Sequence, residues 1–322
     1  MTSFNIITWN VRGVGSQTKR TRILNHLTHL NADICLLQET HLTPLTYNTL
    51  RSQQYTQIFS AHYNSKQRGV AILIHKKIKF THNTTISDPE GRFIIINISV
   101  NNNPVTIASI YGPNIDNPAF FHNFFSSLSS LSHCPVIIGG DFNTTIDPSI
   151  DKTYNPANKR PWQSTAVINQ FMCDFGLGDG WRLQHPFKKQ YSFYSPVHKS
   201  YSRIDFFLIS NSIIKNILES HIHPILISDH APVSILWRPD HPHKRSTRWR
   251  LNTSLLQDPE FDSFIRREWA SFLDINNTPE ISPSLLWETG KAVLRGHIIS
   301  FSVNKKKRKK NGKLRLKRKF KD

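Results

Sequence analysis

The sequence predicts an α+β sandwich, two packed β-sheets with helices outside them. Three observations lead there. Short β-rich segments recur along the first 238 residues, each bounded by Asn, Gly, Pro, Asp or Ser. Amphipathic stripes at helical spacing fall between some of them. Strand patterning then stops after Trp237.

Taken in order, residues 4–9 form the first strand segment, which ends at the polar Asn10. Ile23, Leu24, Leu27 and Leu30 follow at the spacing of one helix face. Residues 34–37 make a buried strand that runs into Gln38 and Glu39, and residues 70–74, 93–98 and 105–110 are three more. Phe120, Phe121, Phe124, Leu128 and Leu131 line a second helix, and Val167, Ile168, Phe171 and Phe175 a third. Between those two helices lies the strand segment 136–138, and segments 191–194, 204–209, 225–227 and 233–237 complete the set. About ten strands and three helices bury their apolar faces best as two stacked sheets with helices on the outer faces.

Past Trp237, Pro239, Pro242 and a run of His, Lys and Arg mark a polar linker, so residues 1–238 are read as the main domain and 239–250 as the linker. Residues 251–302 are read as a helical extension. Asp258, Pro259 and Glu260 open one helix with Phe261, Phe264, Ile265, Trp269 and Phe272 on one side; Ser282 and Pro283 open another with Leu285, Leu286, Ala292, Val293 and Ile299 as its buried positions. Residues 303–322 are a basic tail.

Lys and Arg outnumber Asp and Glu by 41 to 22 in this chain of 322 residues, a net charge of +19 that suits a polyanionic partner. Its distribution narrows that reading. Residues 1–238 carry 21 basic and 13 acidic side chains, 239–302 carry 8 of each, and 303–322 carry 12 against 1. The tail therefore supplies more than half of the excess. It suits nucleic acid, RNA included, or a nuclear import signal, and the plain alternative is a solvated helix or linker of a longer protein. Cys35, Cys134 and Cys173 show no paired or metal-binding spacing, which argues against disulfides and structural zinc. No apolar run approaches the roughly 20 residues that span a bilayer, and the start lacks a signal-peptide pattern. A soluble intracellular protein of the nucleus and cytoplasm is expected, without membrane contact and without a small-molecule cofactor.

Several of the 13 carboxylates in the first 238 residues fall at strand ends. Glu39 follows the strand at 34–37, Asp141 follows Gly139 and Gly140, Asp229 follows Ser228, and Asn10 ends the first strand. Asp205 lies inside an apolar strand, where an unpaired charge costs several kcal/mol, about 3–5 when a buried pair is broken, so it needs a partner. Each residue taken singly is what a turn or cap uses. As a set at one rim they form an oxygen-rich cavity suited to a hard cation, magnesium with manganese as substitute, held by Glu39 with Asn10 or an Asp. Asp205 is placed to orient His230, and the pair to activate a water or protonate a phosphate oxygen. Asn143 and Tyr111 add neutral donors for charge building on phosphorus oxygens.

Six blocks carry a resemblance. Thr8-Trp9-Asn10, Leu37-Gln38-Glu39-Thr40, Ile110-Tyr111-Gly112-Pro113, Gly140-Asp141-Phe142-Asn143, Ser202-Arg203-Ile204-Asp205 and Ser228-Asp229-His230 resemble, in order, those of the endonuclease/exonuclease/phosphatase superfamily, with exonuclease III, apurinic/apyrimidinic endonucleases and pancreatic deoxyribonuclease as members. The resemblance implies a four-layer α/β/β/α sandwich of deoxyribonuclease type. It also implies that Glu39 and Asn10 hold the metal, Asp229 a second metal or a water, Asp141 and Asn143 flank the attacked phosphate, Tyr111 contacts it, and Asp205 orients His230. It leaves the proton acceptor, Asp141 or His230, and the number of ions open.

Within that superfamily the chain is most similar to the N-terminal endonuclease of long interspersed element retrotransposon polyproteins of vertebrate, fish type. Asn10-Val11-Arg12-Gly13, Tyr191 to Ser195, Tyr201-Ser202-Arg203, Arg248-Trp249-Arg250-Leu251-Asn252 and Leu285-Leu286-Trp287-Glu288 carry the likeness. It implies nicking of one strand of double-stranded DNA to leave a 3′-hydroxyl that primes reverse transcription. Residues 196–202 would be a hairpin probing the minor groove, with Ser192, Pro196, His198, Lys199, Ser202 and Arg203 as DNA contacts and a loose preference for T-rich to A-rich junctions. Such polyproteins continue into a reverse transcriptase; this sequence reaches Asp322 with no polymerase motif, as a fragment or truncated copy would. Competing readings are a phosphoesterase for another substrate, an apurinic site, RNA, an inositol phosphate or a sphingolipid head group, and an inactive nucleic-acid-binding remnant.

Overall fold

Runs of Ile, Val, Leu and Phe too short for helices and bounded by turn residues pair into two six-stranded sheets in the computed structural model. It describes residues 3–131, 134–153, 162–239, 251 and 253–319, with side chains through Lys305. The order is β1 (Phe4–Asn10), α1 (Gln17–His29), β2 (Ile34–Gln38), β3 (Tyr55–Ala61), β4 (Val70–His75), β5 (Phe80–Ser87), β6 (Phe93–Val100), β7 (Asn103–Tyr111), α2 (Pro118–Ser129) and β8 (Val136–Asp141). Then come α3 (Pro148–Asp151), α4 (Gln163–Asp174), β9 (Leu177–Asp179), α5 (Gly180–Gln184), β10 (Phe193–Ser195), β11 (Ser200–Ser202), β12 (Asp205–Ser210), α6 (Asn211–Ile214), β13 (Ile217–Ile222) and β14 (Val233–Trp237). Two long helices, α7 (Pro259–Asn276) and α8 (Pro283–Lys319), follow.

One sheet runs β13-β14-β1-β2-β4-β3 and the other β5-β6-β7-β8-β12-β9, while β10 and β11 form a separate hairpin. Strand pairs are antiparallel except β1 with β2 and β7 with β8. Those two parallel pairs are joined through α1 and α2, the crossover that parallel neighbours require. Period-two alternation sends Ile6, Leu36, Ile72, Ile96, Ile107 and Phe207 into a core between the sheets. Ile7, Cys35, Leu37 and Leu73 point the other way, onto Ile23 and Leu27 of α1. On the far side Ile95, Ile110, Ile138 and Phe206 meet Phe121, Phe124 and Phe125 of α2 and Ile168 of α4. Three cores between four layers give the α/β/β/α sandwich that the sequence implied.

Strands β3, β5, β9 and β13 are absent from the sequence reading, and they are the four sheet edges. Edge strands face water along one side, so their composition is polar; β5 carries Thr81, His82, Asn83, Thr84 and Thr85, all exposed. The expected strand at 225–227 is a loop after Pro224, with Leu226 exposed, and the edge strand is β13 instead.

Contacts divide the chain into two compact units, Met1–His243 and Lys244–Asp322. In the second, Asp258 caps α7 through the Glu260 N–H with Pro259 at the first position, as the local sequence dictates. Phe261 and Phe264 pack on Phe301, both at 5.3 Å, and Trp269 on Trp287 at 6.2 Å. The buried stripe of α8 differs from expectation. Leu285, Ala292 and Ile299 are exposed, whereas Gly290 is buried under the Trp269 ring. The helix also continues through residue 303, so its backbone does not mark off the basic tail. Linker residues 240–250, Asn252 and the tail side chains beyond Lys305 lie outside the described residues.

Candidate active site

Register brings the polar residues to one rim. Tyr111 pairs with Asp141 across the parallel strands β7 and β8, and Asp141 with Asp205 across β8 and β12, so the three occupy one row. In the facing sheet Asn10 pairs with Gln38 across β1 and β2, which places Glu39 just beyond the strand end. Asn10 spans the gap between sheets: its Nδ2 donates to Glu39 Oε1 and to Asp141 Oδ2, each at 2.9 Å. Its Oδ1 accepts the Arg12 N–H at 3.0 Å, which fixes the amide orientation. In that orientation Asn10 offers its two amide donors to the carboxylates.

The backbone is bent to present these groups. Arg12, Glu39, His41 and Asn143 have φ of +47°, +50°, +54° and +52°, left-handed values that side chains with a Cβ seldom adopt. Strain of this kind persists where surrounding contacts hold it, commonly at functional sites. Gly140 precedes Asp141 for a steric reason, since a Cβ there would lie 2.0 Å from the Ile110 carbonyl oxygen.

His230 stands just before β14 with its ring 4.6 Å from that of Phe193. Its Nδ1 meets Asp205 Oδ2 at 2.8 Å, leaving Nε2 3.8 Å from Asp141 Oδ2. Asp205 Oδ2 also accepts the Ser192 hydroxyl at 2.7 Å, while its Oδ1 is buried without a partner among the described residues. Asp141 Oδ1 accepts the Asn143 N–H at 2.9 Å. Tyr111 donates to Asn114 Oδ1 at 3.3 Å, and Asn143 Nδ2 donates to the Gly112 carbonyl at 2.9 Å.

Charge in this cavity is strongly perturbed. Burial opposes ionisation of Glu39, but hydrogen bonds from His41 and Asn10, with the Tyr111 phenol close by, outweigh it and hold the carboxyl down at about 2. Burial and the neighbouring Asp205 charge push Asp141 up. Burial would lower His230, but the Asp205 and Asp141 carboxylates raise it to about 9. Burial and the Glu39 and Asp141 charges raise Tyr111, which therefore stays a phenol. An ionised Glu39 beside the buried Asp141 and Asp205 carboxylates, one oxygen of Asp205 having no donor among the described residues, offers the oxygen-rich surroundings that a hard divalent cation takes.

Seven of the eight expected residues converge: Asn10, Glu39, Tyr111, Asp141, Asn143, Asp205 and His230. Asp229 is turned to Arg12, 2.8 Å away. Among the expected DNA contacts, Pro196, His198 and Lys199 form the exposed turn of the β10–β11 hairpin and Ser202 is half-buried in β11. Two need correction. Ser192 is fully buried beneath Asp205, and Arg203 is 1% exposed, clamped by Asp151 at 2.8 Å and Asp179 at 2.7 Å, so neither can reach a ligand outside. Arg12, His41 and Asn114 stand in or beside the site without having been singled out. Asn114 had a signal in its place directly after Tyr111-Gly112-Pro113. Asp151 and Asp179 had none, the first lying at the end of α3 and the second capping α5.

A model of the Endonuclease/Exonuclease/phosphatase family matches residues 7–230, a span that runs from β1 to His230. The chain is 26% identical over 301 residues, 91% of its length, to the Transposon TX1 uncharacterized 149 kDa protein of Xenopus laevis, and it spans 22% of that protein. It is 24% identical over 254 residues to an exodeoxyribonuclease of Bacillus subtilis (strain 168), covering 72% of this chain and 98% of the relative. The AP endonuclease LMAP from Leishmania major superposes with a TM-score of 0.63 at 17% identity, over 74% of this chain and 88% of that one. The Xenopus laevis APE2 catalytic domain gives 0.62 at 22% identity, over 73% and 92%. These solved structures bear on the fold.

Proposed function

The chain belongs to the Endonuclease/Exonuclease/phosphatase family and is a hydrolytic nuclease, and from that premise we propose that it is a magnesium-dependent endonuclease nicking one strand of double-stranded DNA to leave a 3′-hydroxyl. The observation that carries the reading is the single polar row Tyr111, Asp141 and Asp205, joined by Asn10 to Glu39 and by Asp205 to His230. A cation held by Glu39 would neutralise charge on the phosphate. Asp141, whose affinity for a proton is raised and whose two oxygens are fixed by Asn10 and Asn143, takes the proton from the attacking water. His230, kept cationic by Asp205, donates from Nε2 to a phosphate oxygen, and the Tyr111 phenol donates to another. Water adds to phosphorus, the P–O3′ bond breaks, the proton that Asp141 took from the water is passed to the departing O3′, and the products are a 3′-hydroxyl and a 5′-phosphate.

Residues 1–238 are the nuclease domain in this reading, 239–250 a linker, 251–302 a remnant of the region before a reverse transcriptase, and 303–322 a tail for nucleic acid and nuclear entry. The hairpin turn Pro196, His198 and Lys199 is suited by exposure and charge to a DNA groove. The likeness to a transposon protein supports a role in target-primed insertion.

Supercoiled plasmid nicking tests the proposal. Wild type with magnesium nicks; EDTA, Glu39→Ala and His230→Ala each lower the rate by about 100-fold or more. Undiminished nicking by His230→Ala would sink the mechanism. Cleavage at apurinic sites is the second reading, drawn from the names of the solved relatives. A duplex carrying one abasic site, cut far faster than the intact duplex, would favour it.

A further inference from the structure

Strand register puts a second polar and aromatic cavity at the end of the sandwich away from the active rim. On β4, Val70 pairs with Gln38, next to Glu39, whereas His75 lies at the other end, roughly 17 Å along the strand. In the other sheet Phe93 starts β6 opposite Ile110, next to Tyr111, and Val100 at its far end pairs with Phe80, the first residue of β5. Residues 76–79 carry the chain across from β4 to β5. There the edge strands β3 and β5 and the crossing between the sheets enclose about 560 Å3.

The walls of this cavity combine charge, rings and neutral hydrogen-bonding groups. Residues 75–82 hold three lysines, two histidines and no carboxylate. Lys77 is paired with the buried Asp33 at 2.5 Å, but Lys76 and Lys79 are exposed at the cavity with no ion-pair partner among the described residues. Phe59 and Phe80, both half-buried, line it with ring centroids 6.4 Å apart, and the exposed His82 ring is 5.0 Å from Phe59. Thr56 and Gln57, exposed at the irregular start of β3, add a hydroxyl and an amide.

We propose that this cavity is a second nucleic-acid site, separate from the nuclease centre, that takes unpaired nucleotides of single-stranded RNA. Ammonium groups beside aromatic rings answer phosphates and bases together, the combination that single-strand sites use. A duplex presents its phosphates but keeps its bases stacked, so it would leave Phe59, Phe80 and His82 without partners. The Thr56 hydroxyl and the Gln57 amide supply the donors and acceptors that a ribose 2′-hydroxyl uses, which favours RNA over DNA. Because the cavity lies a strand's length from Glu39 and Tyr111, a strand held there leaves the nuclease centre free for its own substrate. The proposal is independent of the catalytic reading above.

Photocrosslinking of the full chain to a single-stranded RNA decamer carrying 4-thiouridine, with the crosslinked peptides identified by mass spectrometry, reads the site separately from the basic tail. Crosslinks within residues 55–59 or 75–82 are expected. Lys76→Glu/Lys79→Glu and His82→Ala each lower their yield by about fivefold or more, while thermal unfolding and plasmid nicking stay as in wild type. A DNA decamer of matching sequence carrying 4-thiothymidine crosslinks there about fivefold less. Crosslinks confined to other residues, or undiminished yields in both variants, would overturn the proposal, and equal crosslinking of the DNA decamer would overturn its assignment to RNA. A concentration-dependent dimer that both variants lose, with no RNA crosslink at the cavity, would give this face to a second copy of the chain instead.

Discussion

Asp205 uses one oxygen twice, accepting the Ser192 hydroxyl at 2.7 Å and the His230 Nδ1 proton at 2.8 Å. That arrangement keeps His230 protonated to about 9. A histidine raised above its ordinary 6.5 stabilises the fold fully below that pH and loses the contribution as pH rises through the folded value. Asp141, also raised, acts in the same direction, because its proton too is bound more tightly in the folded state. Cation-free protein is therefore expected to lose stability between pH 6.5 and about 9, by about 3 kcal/mol from His230, as followed by urea unfolding across that range. Asp205→Asn should move the His230 titration back toward 6.5, read by NMR of the imidazole, and flatten the slope. A His230 titration unchanged in that variant would contradict the ion pair as its cause.

At the scale of elements, the strand bearing Asp205 is anchored by an ionic hub below the hairpin. Arg203 makes a two-pronged contact with Asp151 of α3, at 2.8 Å on each prong, and a third contact with Asp179 at the end of β9. Arg182 of α5 joins Asp151, and the Trp181 ring lies under both guanidinium groups. Four elements thus meet on one side chain two residues before Asp205. Arg203→Met leaves the buried Asp179 without its cation and Asp151 with Arg182 alone, and should cost about 3–5 kcal/mol in chemical denaturation, whereas a DNA-contact role would change affinity and leave stability alone. A variant as stable as wild type but weak in DNA binding would restore the rejected assignment.

For the molecule as a whole, charge is divided between a moderately basic sandwich and a strongly basic end, with 12 of the 41 Lys and Arg residues in 303–322. Phosphate contacts release counterions, so each makes affinity fall with salt. Deleting residues 303–322 should lower the slope of log affinity against log salt while plasmid nicking at low salt persists. An unchanged slope would show that the tail makes no phosphate contacts.

How much of this was legible in sequence follows from what local chemistry controls. Strands buried on both faces announce themselves as apolar runs, which is why β1, β2, β4, β6, β7, β8, β12 and β14 could be read off and the four edges could not. The order of the motif blocks, a property of the chain alone, was enough to assemble the set Glu39, Asp141, Asp205 and His230. Sequence alone thus determined the sandwich and the helical extension, and named in advance most of the polar residues that the fold brings to one rim. Partners far apart along the chain were beyond it. That Arg203 turns inward to Asp151, 52 residues away, that Asn10 presents its amide nitrogen to Glu39 and Asp141, and that Asp229 is taken by Arg12, 217 residues earlier, were decided only by tertiary structure. The reason is physical: burial and charge pairing depend on which strand ends share a rim, and register between distant strands has no local signature.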